Sequence, residues 1–322
     1  MKKIRIWFSD FYPGFNPKEN PFIKLLSKKF EIIFDDQNPD FLIYSCYGLD
    51  FLKYDCVRIF YTGENLRPDF NLCDYAIGFD YLDFGDRYLR FPNFALFEGQ
   101  FNKLIDNDRH VPEKKYFCNF IYSNNKANPI RDRFYFMLNE YKPITSPGKH
   151  LNNSNIDIGK RNDPAWMFSK LDFQSQCKFT IAFENSSSPG YTTEKLMHAF
   201  LANSIPIYWG DPLVEKDFNS RAFINCHRYN SLEEVVQRIK ELDKNNEKYS
   251  AMLNEKPFAQ DQIPENLSKQ KVIEFLEMIF NQNLREAIRR PKYGTTLNYE
   301  NQLKTLHKNN KKRIKLNPRN WF

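Results

Sequence analysis

No run of about 18 apolar residues occurs in this 322-residue chain, which excludes a transmembrane helix. The opening MKKIRIWFSD is basic, but polar and charged residues interrupt its apolar stretch almost at once, so it does not read as a secretory signal. The six cysteines (46, 56, 73, 118, 177 and 226) contain no CxxC and no metal-ligand spacing. In a long chain without a signal they are expected to be reduced thiols, mostly buried. GxGxxG and the P-loop pattern GxxxxGKS/T are both absent, so an ordinary dinucleotide or P-loop site is not expected. No internal repeat of fixed period is evident. The five histidines do not cluster in sequence, and no Ser/His/Asp or Cys/His pattern stands out.

What is present is ample core material. Hydrophobic residues make up 41% of the chain, and the 31 Phe and 18 Tyr argue against a disordered polypeptide. At roughly 100–200 residues per domain, the length suggests two domains. The net charge of +7 is unevenly placed. Eleven Lys/Arg against two Glu between Arg285 and Phe322 carry +9, leaving −2 for residues 1–284. The basicity belongs to the tail and not to the folded body, whose net charge weighs against a nucleic-acid partner.

Strand and helix signals alternate along the chain. KIRIWFS, EIIFDD, FLIYSC, VRIFYTG and YAIGFD read as strands, with PFIKLLSKKF as a short helix among them. Continuous apolar runs such as Ile32–Phe34 and Leu42–Tyr44 suit strands buried on both faces of a parallel sheet. The polar NKLIDNDRHVPEKK (102–115) reads as a linker. A second α/β set follows, with strands YFCNFIYS, KFTIAF, IPIYW and AFINC. Its helices are IRDRFYFMLNEY, TEKLMHAFLAN, SLEEVVQRIKEL (capping box Ser231 and Glu234) and KQKVIEFLEMIFNQNL. The expected organisation is an α/β domain over 1–112, a second over 113–284 and a largely non-periodic basic tail over 285–322, both domains being doubly wound.

One stretch points to chemistry. KFTIAF delivers the chain to the carboxyl edge of a sheet, ENSSSPGY forms a loop, and a helix starts near Thr193. Ligands bind at such edges. A helix start offers unpaired N–H groups and partial positive charge, which disfavours a lysine there. Lys195 in the first turn is therefore compatible with an anionic partner, phosphate being the natural one. The same residues also make a simple turn followed by a solvated helix start, and chemistry alone leaves both readings open.

The longer stretch FENSSSPGYTTEKLMHAFLANSIPIYWGDP (183–212) resembles the signature of the α1,3/α1,4-fucosyltransferases of glycosyltransferase family 10, bacterial type. FYTGENLRPDFNLCDYAIGFDYLDFGDRYLRFP (60–92) and NPIRDRFYFMLNEY (128–141) are similar to the bacterial members as well, and the similarity spans roughly residues 56–280. The resemblance implies an α/β, GT-B fold: two Rossmann-like domains facing a cleft, with the acceptor served by the first and the nucleotide sugar by the second. It implies inverting transfer of L-fucose from GDP-fucose to a GlcNAc hydroxyl of an N-acetyllactosamine-type acceptor. An α1,3 linkage is favoured, in the synthesis of a bacterial surface glycan such as lipopolysaccharide. GDP-fucose is a substrate in this reading; no cofactor is required and a divalent metal is not essential.

Site roles follow from the same resemblance. Glu64, in YTGEN, matches the general base that takes the proton of the attacking acceptor hydroxyl. Arg131 matches an arginine that meets the donor diphosphate, where a guanidinium grips phosphate oxygens in two places. Lys195 supplies the second cation, and Glu194 accepts hydrogen bonds from sugar or ribose hydroxyls. Asn185 and Tyr191 match further donor-binding positions. Each also has a plain structural reading: Glu64 as a turn acceptor, Arg131 as a partner of Asp132 or Glu140, Tyr191 as a packed loop aromatic. The chain departs from its bacterial relatives at Ser188-Pro189, where they often carry another Gly-aromatic pair. It also lacks the leucine heptads some of them place ahead of a basic terminus, so dimerisation by that device is not expected.

Competing signals are weaker. Asp106-Asn107-Asp108 is a DxD, the metal-binding signature of other glycosyltransferases, but it sits in the polar linker rather than after a buried strand. No metal site is assigned. His198, on the motif helix, reads as a packing or polar-face residue. The basic tail is consistent either with peripheral contact to an anionic membrane, on the cytoplasmic face, or with a solvated extension. The alternatives to this enzyme are a non-catalytic glycan- or nucleic-acid-binding module and a relative using another GDP-sugar. Nucleic acid is not an expected partner.

Overall fold

The computed structural model describes residues 1–105, 113–159 and 165–316. In chain order the strands are β1 (Lys2–Ser9), β2 (Phe30–Phe34), β3 (Phe41–Tyr44), β4 (Val57–Tyr61), β5 (Tyr75–Gly78), β6 (Tyr88–Arg90), β7 (Tyr116–Asn119), β8 (Ile144–Thr145), β9 (Cys177–Phe183), β10 (Ile205–Trp209) and β11 (Ile224–Asn225). The α-helices are α1 (Pro21–Leu26), α2 (Phe101–Ile105), α3 (Ile130–Asn139), α4 (Trp166–Ser175), α5 (Glu194–Leu201), α6 (Leu232–Lys244), α7 (Asn246–Asn254), α8 (Lys269–Phe280), α9 (Leu284–Ala287) and α10 (Gly294–Leu316). The chain divides into two compact units, one of residues 1–91 with 268–322, the other of residues 92–267.

Each unit is built on one parallel sheet. The first has the order β2-β1-β3-β4-β5-β6 and the second β11-β10-β9-β7-β8. Both reverse direction at one place, between β1 and β3 in the first sheet and between β7 and β9 in the second. These are the topological switch points at which open α/β sheets bind ligands. The run Leu42–Tyr44 behaves as a two-sided sheet demands: all four residues of β3 are buried, as are the first four of β4. The run Ile32–Phe34 does not, because β2 is the edge strand: Ile33 is exposed and Ile32 and Phe34 are only half-buried. The second core gathers Phe120, Phe134, Phe179, Phe183 and Ile207 with the inner faces of α3 and α6. At the start of α6, Ser231 Oγ accepts from Glu234 N at 3.3 Å, and Glu234 reaches back to Asn230 N rather than to Ser231 N.

The boundaries differ from the sequence expectation of 1–112, 113–284 and 285–322. The first division falls at 91/92, because Phe94 and Phe101 are buried against Phe218 and Phe258 of the second unit, at ring separations of 4.8 Å each. The second falls at 267/268. The apolar face of α8 packs on the first sheet, with Phe280 4.5 Å from Phe41 and 5.6 Å from Phe30. The basic segment after Arg285 is not featureless: it forms α9 and the 23-residue α10. The short β6 and β8, and helices α4 and α7, also lie outside the sequence reading. The DxD at 106–108 lies outside the described residues. All six cysteines are unpaired, five of them buried. Among the described residues, no helix is long and apolar enough to cross a membrane.

Two buried ion pairs fix the returning segment. Asp74, fully buried, accepts from the backbone N–H groups of Arg58, Arg289 and Arg290 at 2.7–2.9 Å and pairs with the Arg290 guanidinium. Glu300 of α10 pairs with buried Arg58 at 2.9 Å. Burial works against the charged form of Glu300, but hydrogen bonds from Arg58 and Lys304 outweigh it and hold its carboxyl at about 2. A carboxylate depressed on folding contributes stability above its unfolded value of about 4.3 and loses that contribution as pH falls toward the folded value. Glu300→Gln is therefore expected to destabilise the protein at neutral pH, on the order of 1–3 kcal/mol for a hydrogen bond between charged groups. It should also flatten the loss of stability between about pH 5 and pH 2. Urea titrations at a series of pH values check this; an unchanged acid slope would contradict it.

Candidate functional site

The second sheet ends at its switch point in two loops. The one after β7 carries Tyr122, Ser123 and Asn124; the one after β9 carries Glu184 and Asn185 and leads into α5. Together with α4, α5 and Pro147–Lys149 after β8, they enclose a cavity of about 680 Å3, within the usual range of about 300–1,000 Å3 for small-molecule sites. Gly148 belongs to this wall for a steric reason: a Cβ there would stand 2.6 Å from Tyr122 N and 2.7 Å from its carbonyl oxygen.

Asn185, Glu194 and Lys195 line the cavity together. Arg131, at the start of α3, stands beside them and is itself fully buried. Its Nη1 donates to Asn185 Oδ1 at 3.4 Å, its Nη2 donates to the Asn124 carbonyl, and the guanidinium lies 4.2 Å over the Tyr122 ring. Arg131 thus joins the loops after β7 and β9; its Nε makes no hydrogen bond among the described residues and lies 3.7 Å from Asp132. Tyr191 is buried rather than lining the cavity; its carbonyl accepts from Tyr208 Oη at 3.4 Å. Glu64 belongs to the first unit. It follows β4 in an exposed turn, its N–H donating to Thr62 Oγ1 at 3.0 Å and its carboxylate accepting from Tyr47 Oη at 2.7 Å.

The start of α5 is organised by a residue to which the sequence reading gave no role. Glu184, fully buried, accepts from Thr193 N at 2.8 Å, from Thr193 Oγ1 at 2.7 and 2.9 Å, and from Lys195 Nζ at 3.0 Å. Thr193 makes no cap bond with its own side chain; the Glu184 carboxylate from the loop after β9 meets the positive end of the helix in its place. Gly210 permits the approach, since a Cβ there would fall 2.4 Å from Glu184 Cγ. Lys195 is therefore not a bare cation. It is paired with Glu184, with Glu194 3.6 Å away. Burial would lower the lysine, yet Glu184 and Glu194 hold it well above the ordinary ammonium value. Burial also works against Glu194, but Lys195, Lys170 and His198 keep it well below the usual carboxylate range. Glu184 goes the other way, raised by burial with Lys195 offsetting part of the rise.

The loop between β9 and α5 hangs on Asp211. This fully buried carboxylate accepts from Gly190 N at 2.8 Å, Leu213 N at 2.7 Å and Thr192 Oγ1 at 3.3 Å. Gly190 takes φ +83°, a backbone state open to glycine. Two further groups that the sequence reading did not place on the cavity are Lys170 of α4 and His198 of α5, bonded to each other at 3.1 Å. Among the described residues, no three His, Cys, Asp or Glu side chains converge as metal ligands would. What the cavity offers instead is a mixed lining of lysines, amides and aromatic rings, suited to a ligand with both an anionic part and a flat apolar part.

Comparison with known proteins agrees along most of the chain. The model for the alpha-(1,3)-fucosyltransferase FucT N-terminal domain matches residues 6–97, and the glycosyltransferase family 10 (fucosyltransferase) C-terminal model matches residues 111–272. The alpha-(1,3)-fucosyltransferase FucT of Helicobacter pylori is 36% identical over 260 residues, covering 69% of this chain and 52% of that protein. The human 4-galactosyl-N-acetylglucosaminide 3-alpha-L-fucosyltransferase 9 is 31% identical over 150 residues, 45% of this chain and 38% of that protein. The chain thus spans about half the length, or less, of these curated relatives. A crystal structure of an α1,3-fucosyltransferase with GDP-fucose superposes with a TM-score of 0.71 at 32% identity, over 88% of this chain and 92% of that one. One with GDP gives 0.70 at 30% identity, over 90% and 93%.

If Glu184 organises the start of α5, Glu184→Ala leaves a half-buried ammonium short of a partner and a helix end without its carboxylate. The expected loss is about 3 kcal/mol of unfolding free energy in urea. A loss below about 1 kcal/mol, the scale of an exposed pair, would contradict the assignment.

Proposed function

The chain belongs to glycosyltransferase family 10, and from that premise we propose that it transfers L-fucose from GDP-fucose, with inversion, to a GlcNAc hydroxyl of an N-acetyllactosamine-type acceptor, forming an α1,3 linkage. The observation that carries the reading is the cavity at the switch point of the second sheet, where Asn185, Glu194 and Lys195 meet on one wall. The likeness to α1,3-fucosyltransferase structures holding GDP-fucose and GDP supports the choice of donor.

In this account the donor diphosphate lies against Lys195. A lysine already held charged by two carboxylates keeps its proton throughout the reaction and needs no reorganisation as negative charge develops on the leaving GDP. Arg131 acts from behind the wall, fixing Asn185 and the Asn124 backbone while adding positive potential. Glu194 accepts from hydroxyls of the donor. Tyr191 contributes to donor binding by holding the loop ahead of α5. Glu64 takes the proton of the acceptor hydroxyl as that oxygen bonds to the anomeric carbon and the bond from that carbon to the GDP oxygen breaks. The two cations stand in for a metal in neutralising the departing diphosphate. A role in bacterial surface-glycan (lipopolysaccharide) synthesis, at the cytoplasmic face of the membrane with α9 and α10 near anionic lipid, completes the proposal.

The experiment is product formation from GDP-fucose and N-acetyllactosamine with EDTA present, followed by mass and linkage analysis. An α1,3-fucosylated product is the expected outcome; turnover only with another GDP-sugar or acceptor would replace the substrate and keep the mechanism. Glu64→Gln should lower turnover about 10²-fold or more while GDP affinity stays at the wild-type value. Near-normal turnover would remove Glu64 from the base role. Lys195→Ala should weaken GDP binding at least tenfold, on the scale of a lost charge-assisted hydrogen bond, and unchanged affinity in calorimetry would sink the diphosphate assignment.

A further inference from the structure

His198 stands one turn beyond Glu194 on α5 and is 2% exposed. Its Nδ1 lies 3.1 Å from Lys170 Nζ on α4. An ammonium has no lone pair, so Nδ1 is the acceptor in that bond. The imidazole is then the neutral tautomer with its proton on Nε2. Burial and the adjacent Lys170 both disfavour a second proton, pushing the group down to about 3, so the ring stays neutral at physiological pH. That leaves an Nε2–H donor, and this atom has no hydrogen-bond partner among the described residues. A buried donor without an acceptor costs on the order of 1–3 kcal/mol, and such groups call for an explanation.

The surroundings say what kind of acceptor is missing. His198 lines the cavity with Phe97, Ile158, Trp166 and Met167. Phe97 stands edge-on to it at 5.1 Å, and Lys170 lies 5.3 Å over the Trp166 ring. This flat, apolar environment suits a heteroaromatic base, whereas Asn185 and Lys195 suit phosphate and sugar. A neutral N–H donor among aromatic side chains matches a base carbonyl.

We propose that His198, locked by Lys170 as the Nε2–H tautomer, donates a hydrogen bond to the carbonyl oxygen at position 6 of the donor's guanine base, and so helps this chain distinguish guanine from adenine nucleotides. The proposal rests on the reading of this cavity as the nucleotide-sugar site. Adenine carries an amino group at the same position, which would set donor against donor. A site that leaves a buried polar group unpaired discriminates more strongly than one that only loses apolar contact.

The test measures calorimetric affinities of GDP, IDP and ADP for wild type, His198→Leu, His198→Gln and Lys195→Ala. IDP keeps the carbonyl of guanine and lacks only its amino group. His198→Leu is expected to lose about tenfold toward GDP and IDP, the scale of one hydrogen bond, with ADP unchanged. His198→Gln, which can place an N–H near the position of Nε2, should recover most of the loss. Equal losses for all three nucleotides, or none for GDP, would overturn the proposal. Failure of the cavity reading looks different: GDP would not bind wild type, or Lys195→Ala would bind it normally. Should His198→Leu not fold, wild-type protein with 15N-labelled histidine decides. The account requires a protonated Nε2 and an unprotonated Nδ1 at His198, with the Nε2 proton resonance moved by GDP and not by ADP. The opposite tautomer, or no response to GDP, would overturn it.

Discussion

A carboxylate with no exposure to solvent, Glu184, holds the second unit's functional end together. It sits just after β9, reaches the first turn of α5 and binds both the Thr193 N–H and the Lys195 ammonium. One side chain thereby offsets the helix's positive end, keeps a half-buried lysine charged and ties the start of a strand's following loop to the first turn of a helix. Gly210, directly after the adjacent strand β10, leaves it room, and Asp211 beside that glycine anchors the loop in between. The cavity's polar wall is a consequence of these contacts. It presents a lysine whose charge is settled before any ligand arrives, which is the condition for electrostatic stabilisation without reorganisation.

Sheet topology explains why that wall lies where it does. Both sheets run parallel throughout and reverse winding once, so each has one crevice at the carboxyl ends of its strands. In the second unit the crevice falls between β7 and β9. Arg131 joins the two loops there, and the cavity opens beside them. In the first unit Tyr47 and Glu64 follow β3 and β4, again at the carboxyl ends. Parallel packing buries β3, β4, β5, β9 and β10 almost completely and leaves chemistry to the loops.

Much of this was legible in the residues. The uninterrupted apolar runs at Leu42–Tyr44 and in KFTIAF marked buried parallel strands, and the motif at 183–212 marked the loop and helix that line the cavity. Other features were hidden for physical reasons. Glu184 looks like any polar residue after a strand until its burial is known. Lys195 reads as an unpaired cation because its partner sits eleven residues earlier across a loop. β8 is two residues long and carries no period. The domain boundary was obscured because Phe94, Phe101 and Leu104 reveal their core role only in the packing of the second unit. The basic segment after Arg285 lacks a strong apolar stripe; α10 is secured instead by the Glu300–Arg58 pair and by Leu303 against the first core.

The account's central claim is that the cavity at the β7–β9 switch point receives the nucleotide diphosphate. The most direct measurement is a crystal structure of the protein with GDP. The account predicts the nucleotide in this cavity, its phosphate oxygens within hydrogen-bonding distance of Lys195 Nζ. GDP bound elsewhere, or this cavity empty at saturating nucleotide, would contradict it.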